Sequence, residues 1–218
     1  MTAPIALLLE LEGLVLDTLG TRADALHGAL AAEGIDVPWE TVLHAHAGTG
    51  AARALDAIPV AAALDDTGRM LVLRRAADAA AAAFASAPPT LLPDAAAALE
   101  RLAADHRIGI VTHGDREHAD AWLERTELVA LVRVLRSTHD LETAARRAIW
   151  RDAAQRLRLG LPDTTPVLAL VPGADADDAR AAGLAALRVR PGASLARLTD
   201  DVLAALLDAA THPTTSDA

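Results

Sequence analysis

The chain has 218 residues, 52% of them hydrophobic, and a formal net charge of −10, so it can bury a substantial core and is not intrinsically disordered. The acidic balance argues against nonspecific binding to nucleic acid or anionic membranes, because such binding requires a basic face. The chain has no cysteine, which excludes disulfides and thiolate metal sites, and all 20 of its basic residues are arginine.

No apolar run in the sequence reaches the ~20 residues that a membrane-spanning helix needs. The first residues also lack the basic segment and apolar core that are typical of a secretory signal. We therefore expect a cytoplasmic protein with neither a membrane nor a nucleic acid as its partner.

Short apolar runs bounded by turn residues recur along the chain and alternate with helix-like stretches. Such runs are typical of strands that are buried on both faces of a parallel sheet. The predicted strands are Ile5–Leu9, Ile108–Val111, Leu131–Leu135, Val167–Val171 and Ala186–Val189. The predicted helices between the later strands are Asp94–Ala104, Glu117–Glu124, Thr143–Leu157 and Ala176–Ala182. The alternation predicts an α/β fold with a Rossmann-like parallel sheet core and helices on both faces.

Residues 18–87 break this alternation, because they are helical in pattern throughout and contain no convincing strand. We interpret them as an inserted α-helical cap. Prolines at 88, 89 and 93 mark the return to the core, and Asp94 is the predicted N-cap of the next helix. The predicted domains are a core of residues 1–17 and 88–210, a helical cap of residues 18–87 and a disordered tail of residues 211–218.

Three segments carry a resemblance to a known family. Glu10-Leu11-Glu12-Gly13 follows the first strand and resembles the Asp-x-Asp-Gly motif of the haloacid dehalogenase-like (HAD) superfamily. The segment from Ile108 to Gly114 resembles the second motif, a strand that ends in threonine, and Val167 to Leu184 resembles the last motif with its Ala-Gly turn. The placement of the insertion resembles the helical cap of the beta-phosphoglucomutase and phosphoglycolate phosphatase branch.

The resemblance implies a set of site residues. In the family the first aspartate attacks phosphorus and helps to hold magnesium, and the second acts as general acid and base; here Glu10 and Glu12 stand at these catalytic positions. The resemblance also implies phosphate binding by Thr112, His113 and Gly114. Magnesium is the implied cofactor, with Glu10, Glu12 and Asp175 as its ligands.

Four departures from the family pattern bear on catalysis. Glutamate replaces both aspartates, and its extra methylene moves the carboxylate by more than ~1 Å, an error that can cost ~10²-fold in rate. The family's lysine falls near Ala144 in a chain without lysine, although Arg146 and Arg147 are close by. The first acid of the last motif falls on Val171, which cannot bind a metal.

These departures favour a weak or inactive phosphatase homologue with a binding, regulatory or structural role and a protein partner. The alternative is a working hydrolase of a small phosphorylated metabolite, with Glu10 as nucleophile, Thr112 holding phosphate and Asp175 helping a relocated magnesium. A dehalogenase-type reaction on an organic acid, which needs no magnesium, is a third reading. A homo-oligomer is compatible with all three.

Several other polar residues have a simpler interpretation. The pattern His44-x-His46 and the histidines at 113 and 118 lack a confirming third element for a metal site, so we interpret them as surface histidines. The acids at 175, 177 and 178 are explained by the start of a helix, where negative charge is favourable. Arg22 lies in the insertion, where a substrate would be recognised.

Overall fold

In a computed structural model, the structure describes residues 5–47, 49–137, 146–173 and 175–211. Within these ranges five parallel strands form one sheet in the order β3-β2-β1-β4-β5. The strands are β1 (Ala6–Glu10), β2 (Arg107–Thr112), β3 (Val132–Ser137), β4 (Val167–Pro172) and β5 (Ala185–Val189). All five predicted strands are confirmed, and their ends differ from the prediction by two residues at most.

The position of β1 at the centre of the sheet explains why its sequence is an almost uninterrupted apolar run. All five of its residues are buried, because β1 is hydrogen-bonded to β2 on one side and to β4 on the other. Leu7 and Leu9 pack into the apolar cluster on one face of the sheet, whereas Ala6 and Leu8 pack into the cluster on the other face. Helices therefore cover both faces, and the predicted α/β fold class is confirmed.

Nine α-helices accompany the sheet in the described part of the chain. They are α1 (Leu19–Ala32), α2 (Trp39–His46), α3 (Ala51–Asp56), α4 (Asp66–Ser86), α5 (Ala95–Asp105), α6 (Arg116–Arg125), α7 (Arg146–Arg158), α8 (Asp175–Ala181) and α9 (Asp200–Thr211). No helix among the described residues is both long and apolar enough to cross a membrane.

Helices α1 to α4, which we call the helical insertion (residues 19–86), lie between β1 and α5 in the sequence. They share an apolar cluster of their own that includes Leu26, Leu30, Leu55 and Val72. Each of these helices buries one side against the others, so the apolar residues of the segment follow a helical pattern and not the continuous run of a buried strand. The division of the chain into a core domain and a cap domain remains a prediction.

The predicted N-cap at Asp94 is wrong in its hydrogen bonding. Asp94 precedes α5, but its φ of 63° is left-handed and its side chain accepts no capping bond. An N-cap side chain reaches the first helical N–H groups from an extended backbone, which Asp94 does not have. Asp115 does cap α6, because its carboxylate accepts the N–H groups of Glu117 and His118 at 2.8 and 3.2 Å.

The turn after β1 places the second glutamate beside β2. Gly13 adopts a φ of 76°, a conformation that favours glycine, and the chain reverses so that the Leu16 N–H donates to the Leu11 carbonyl at 2.9 Å. Glu12 therefore lies at the carboxyl edge of the sheet. The predicted tail of residues 211–218 begins one residue too early, because Thr211 is the last residue of α9. Residues 212–218, the lysine position at Ala144 and the side chains of Arg146 and Arg147 lie outside the described residues.

Candidate functional site

The carboxyl ends of β1, β2 and β4 meet at one edge of the sheet, and they bring the predicted site residues together. The group consists of Glu10, Glu12, Thr112, His113, Gly114 and Asp175. Glu10 and Glu12 are only 1% and 6% exposed, so they are not solvated side chains at an open strand end. Buried carboxylates require compensating partners, and the partners define what this site can do.

The first partner of Glu12 is the end of β2 with the two residues after it, Thr112, His113 and Gly114, which we call the β2 loop. The Thr112 hydroxyl donates to Glu12 Oε1 at 2.5 Å, and the His113 backbone N–H donates to Glu12 Oε2 at 3.4 Å. The Gly114 N–H donates to Thr112 Oγ1 at 2.9 Å. The carboxylate of Glu12 thus lies on the donors that the family resemblance assigns to phosphate.

Gly114 allows this close arrangement because it has no side chain. A Cβ at this position would lie 2.8 Å from Arg22 Nη2 and 3.1 Å from Glu12 Oε1, too close for any other residue without displacement. Its carbonyl accepts the buried Ser137 hydroxyl at 2.7 Å, which links the β2 loop to the end of β3. The loop is therefore held on both sides.

Arg22 from α1 is the cation beside Glu12. Its Nη2 lies 3.3 Å from Glu12 Oε1, and its guanidinium stacks over the Phe84 ring at 5.5 Å. The sequence prediction looked for this charge near the start of α7, where the lysine of the resembled family falls. Arg22 was assigned only to substrate recognition, because nothing in the sequence indicates that α1 packs against the β2 loop.

His113 joins two carboxylates on the other side of the site. Its Nε2 lies 3.6 Å from Glu10 Oε1 and contacts Asp175 Oδ2 directly, and its side chain is only 6% exposed. The interpretation of His113 as a surface histidine is therefore wrong. His118 is the exposed member of the pair, with 66% of its side chain accessible, because it lies one turn into α6 on the solvent side.

Arg53 from α3 connects the helical insertion to the first turn of α8. Its Nη1 lies 3.2 Å from Asp175 Oδ1 and 2.7 Å from Asp178 Oδ2. Asp175 lies in the first turn of α8 together with Asp177 and Asp178, which confirms the predicted helix start, and it is also fully buried. No local pattern indicates a role for Arg53, because its contact with Asp175 spans 122 residues.

His46 at the end of α2 is also buried, contrary to the sequence interpretation, whereas His44 is exposed. The pKa of His46 is lowered to about 4, mainly by burial and to a smaller extent by the positive charge of Arg22, while a backbone hydrogen bond and Glu12 oppose the shift. His46 is therefore neutral near pH 7. A neutral ring next to the Arg22–Glu12 pair avoids a further charge at the site.

Magnesium, the cofactor that the resemblance implies, does not fit the residues present. Val171 stands at the family's acid position and is fully buried in an apolar cluster with Trp150 and Val111. Magnesium prefers an octahedral set of oxygen ligands, whereas an imidazole stands between Glu10 and Asp175. Glu12, the remaining predicted ligand, is held by the β2 loop.

Comparison with solved structures identifies the fold. A haloacid dehalogenase-like family hydrolase from Streptococcus pneumoniae matches with a TM-score of 0.68 at 17% identity, over 86% of this chain and 85% of its own. A beta-phosphoglucomutase from Clostridium difficile matches with a TM-score of 0.70 at 12% identity, over 96% of this chain and 100% of its own. A predicted phosphoglycolate phosphatase from Haemophilus somnus matches with a TM-score of 0.67 at 18% identity, over 88% of each chain.

The chain therefore shares the fold of these solved structures, which is the fold that the resemblance in the sequence predicts. No protein-family model matches the chain, and no curated protein matches it. The structural neighbours establish the architecture, and the chemistry must be argued from the side chains of this chain.

Proposed function

We propose that this chain is a phosphatase homologue that has lost efficient phosphoryl transfer and acts by binding another molecule. The single observation that carries the proposal is the position of the Glu12 carboxylate, which accepts the Thr112 hydroxyl and the His113 N–H. These groups are the phosphate donors of the resembled motif. A phosphoryl group has to displace a charged side chain of the protein before it can use them.

The electrostatics of the site oppose that displacement. A phosphate dianion on the β2 loop would lie among the carboxylates of Glu10, Glu12 and Asp175. Two unit charges 4 Å apart repel by about 4 kcal/mol at the effective dielectric constant of a protein surface, and the dianion doubles this for each carboxylate. The chain has no lysine to offset the repulsion, and Arg22 is already paired with Glu12.

The nucleophile of the resembled reaction is compromised as well. Glu10 carries one methylene more than aspartate, and its Oε1 lies 3.6 Å from His113 Nε2. Phosphoryl transfer depends on precise positioning and on stabilisation of charge, so altered reach and lost cation act on the same step. The combined effect is the loss of most of the rate enhancement.

The alternative function is a hydrolase that acts on a small phosphorylated metabolite with Glu10 as nucleophile. The names of two structural neighbours, a beta-phosphoglucomutase and a phosphoglycolate phosphatase, point to that substrate class. Retention of a carboxylate at both positions of the first motif also favours it. For the proposed function, the partner is another protein or a second copy of this chain, in the cytoplasm.

A phosphatase assay separates the two functions. The purified full chain is incubated with para-nitrophenyl phosphate and Mg²⁺, Mn²⁺ or Zn²⁺, alongside the isosteric variant Glu10→Gln and the surface control Glu127→Gln. We expect a rate equal to the background for all three proteins. Metal-dependent turnover that Glu10→Gln abolishes and Glu127→Gln retains would establish the hydrolase instead.

A further inference from the structure

A cavity of about 780 Å³ opens at the amino ends of β1, β2 and β3, on the opposite edge of the sheet from the candidate functional site. Ile5 precedes β1, Arg107 begins β2 and Arg133 is the second residue of β3, and all three line the cavity. The ends of α5 and α7 complete the lining. The volume lies within the range of about 300 to 1,000 Å³ that is typical of sites for small organic ligands. We call this space the amino-edge cavity.

Positive charge dominates the amino-edge cavity, although the chain as a whole has a net charge of −10. Arg107, Arg133 and Arg156 line it, and Asp105 is the one acid among its described lining residues. Arg107 Nη1 donates to two neutral backbone carbonyls at the end of α7, at 3.4 and 2.5 Å. Arg133 is exposed and forms no hydrogen bond or ion pair with a described residue. These two guanidinium charges are therefore not paired with carboxylates of the described chain.

Arg156, the third cation of the amino-edge cavity, is only partly compensated. Its Nε donates to both carboxylate oxygens of Asp152, at 3.1 and 3.0 Å, and the same carboxylate pairs with Arg136. The terminal nitrogens of Arg156 donate to no described residue, and 53% of the side chain is exposed. The lining thus keeps both positive charge and N–H donors that a ligand can use.

Contacts within the chain hold the amino-edge cavity in shape. His106 lines it and is only 6% exposed; its Nδ1 accepts the Ile5 N–H at 3.2 Å, and its Nε2 lies 3.4 Å from Asp200 Oδ1. Leu159 also lines the cavity and is 72% exposed, so an apolar surface lies beside the guanidinium groups. A preformed cavity with a few charged groups and an apolar contact is typical of small-molecule sites.

We propose that the amino-edge cavity binds a small organic anion that carries two or more acid groups, carboxylates or phosphates, on one carbon frame. The planar guanidinium group donates in a fork that matches a carboxylate or a phosphate, and three separate arginines match separate acid groups. Leu159 offers its exposed surface to the carbon frame. Inorganic phosphate has its charge at one centre and no carbon frame, so it should not bind measurably. The inference is independent of the proposed function, because the cavity includes no residue of the candidate functional site.

Calorimetric titration of the full chain in metal-free buffer at low ionic strength tests the inference. Citrate carries carboxylates and fructose 1,6-bisphosphate carries phosphates, so the tighter of the two identifies the acid group. We expect that ligand to bind once per chain with a Kd on the order of 0.1 mM. Arg133→Gln and Arg156→Gln should each weaken it by roughly 10-fold, because each removes a charged donor. Arg133→Lys keeps the charge without the fork and should lose less.

Two controls decide whether the binding belongs to this cavity. Arg74→Gln, at an exposed position of α4, should leave the affinity unchanged. Acetate, with a single acid group, should bind the unaltered chain at least roughly 10-fold more weakly than the better polyanion. Failure of both polyanions to bind, or an equal loss of affinity in Arg74→Gln and Arg133→Gln, would overturn the inference. Tighter binding of hexaglutamate than of either polyanion would also overturn it, because the occupant would then be an acidic protein segment.

Discussion

The loops after β2 and β4 meet at the same edge of the sheet, yet they compare differently with the motifs that they resemble. The β2 loop keeps the threonine and the glycine, and the Thr112 hydroxyl and the His113 N–H both donate to Glu12. The segment after β4 has Val171 in place of an acid, and Asp175 is paired with His113 and Arg53. The β2 loop thus keeps the residues of the resembled motif, while the carboxylates of Glu12 and Asp175 are paired with other side chains of this chain.

A substitution at the apolar end of β4 should have the largest effect on stability. Val171→Asp restores the acid of the resembled motif, but it buries a carboxylate in a cluster with Trp150. We expect the free energy of unfolding to fall by about 3 to 5 kcal/mol in urea denaturation. Val171→Asn serves as the uncharged control and should cost less. Recovery of the lost stability with Mg²⁺ would show that the position still belongs to a magnesium site.

The surroundings of the β2 loop predict that the stability of the fold depends on pH through His46. Its pKa is about 4 in the folded state and 6.5 in the unfolded state, so the unfolded state binds more protons between these values. The contribution is complete above pH 6.5 and is lost as the pH falls towards 4, by about 3 kcal/mol in total. The titratable groups that act electrostatically on the His46 ring are Arg22, Glu12 and His113.

Denaturation series at pH 7, 6, 5 and 4 check this dependence. The difference in stability between the unaltered chain and His46→Gln should shrink steadily as the pH falls, because only the histidine gains a proton. His44→Gln, at an exposed position two residues away, should leave the profile unchanged. A constant difference across the series would mean that His46 is accessible to water.

Two arginines of the helical insertion sharpen the comparison, because Arg22 contacts Glu12 beside the β2 loop and Arg53 contacts Asp175 in the segment after β4. Arg22→Met should cost about 2 kcal/mol of unfolding free energy, because Glu12 is buried and loses a charged hydrogen-bond donor. Methionine retains an unbranched side chain of similar length, so the loss reports the charge that pairs with Glu12 and lies over the Phe84 ring. Thermal and urea denaturation at pH 7 measure it, and an unchanged stability would contradict the pairing.

Arg53→Met should have the smaller effect, about 1 kcal/mol, because Arg53 is 36% exposed and Asp175 retains His113. The control is Arg69→Met, which removes an ion pair with the exposed Asp56 and should change the stability by less than about 0.5 kcal/mol. If Arg53→Met costs more than Arg22→Met, the segment after β4 depends more on the helical insertion than the β2 loop does.

The sequence predicts the sheet well because buried parallel strands leave a clear apolar signature. It also predicts that Glu10, Glu12 and Thr112 meet, since strands in a parallel sheet place their carboxyl ends at one edge. Gly13 and Gly114 mark the turns that bring them together. These features depend on backbone conformation, which local sequence largely determines.

The partners of the site could not be predicted in the same way. Arg22 and Arg53 reach the site only because α1 and α3 pack over the sheet edge, and no local pattern encodes that packing. The burial of His46 and His113 follows from the same contacts. The reach of Glu12 onto Thr112 depends on a side-chain conformation, where one methylene decides which donors the carboxylate contacts.

Phosphate binding tests the central claim most directly, namely that Glu12 takes the place of phosphate on the β2 loop. Inorganic phosphate is titrated by calorimetry into the unaltered chain, Glu12→Ala and Glu12→Gln, the last of which keeps the shape without the charge. We predict no binding to the unaltered chain and a Kd on the order of 1 mM for Glu12→Ala, with Glu12→Gln clearly weaker. Equal phosphate affinity in the unaltered chain and Glu12→Ala would contradict the account.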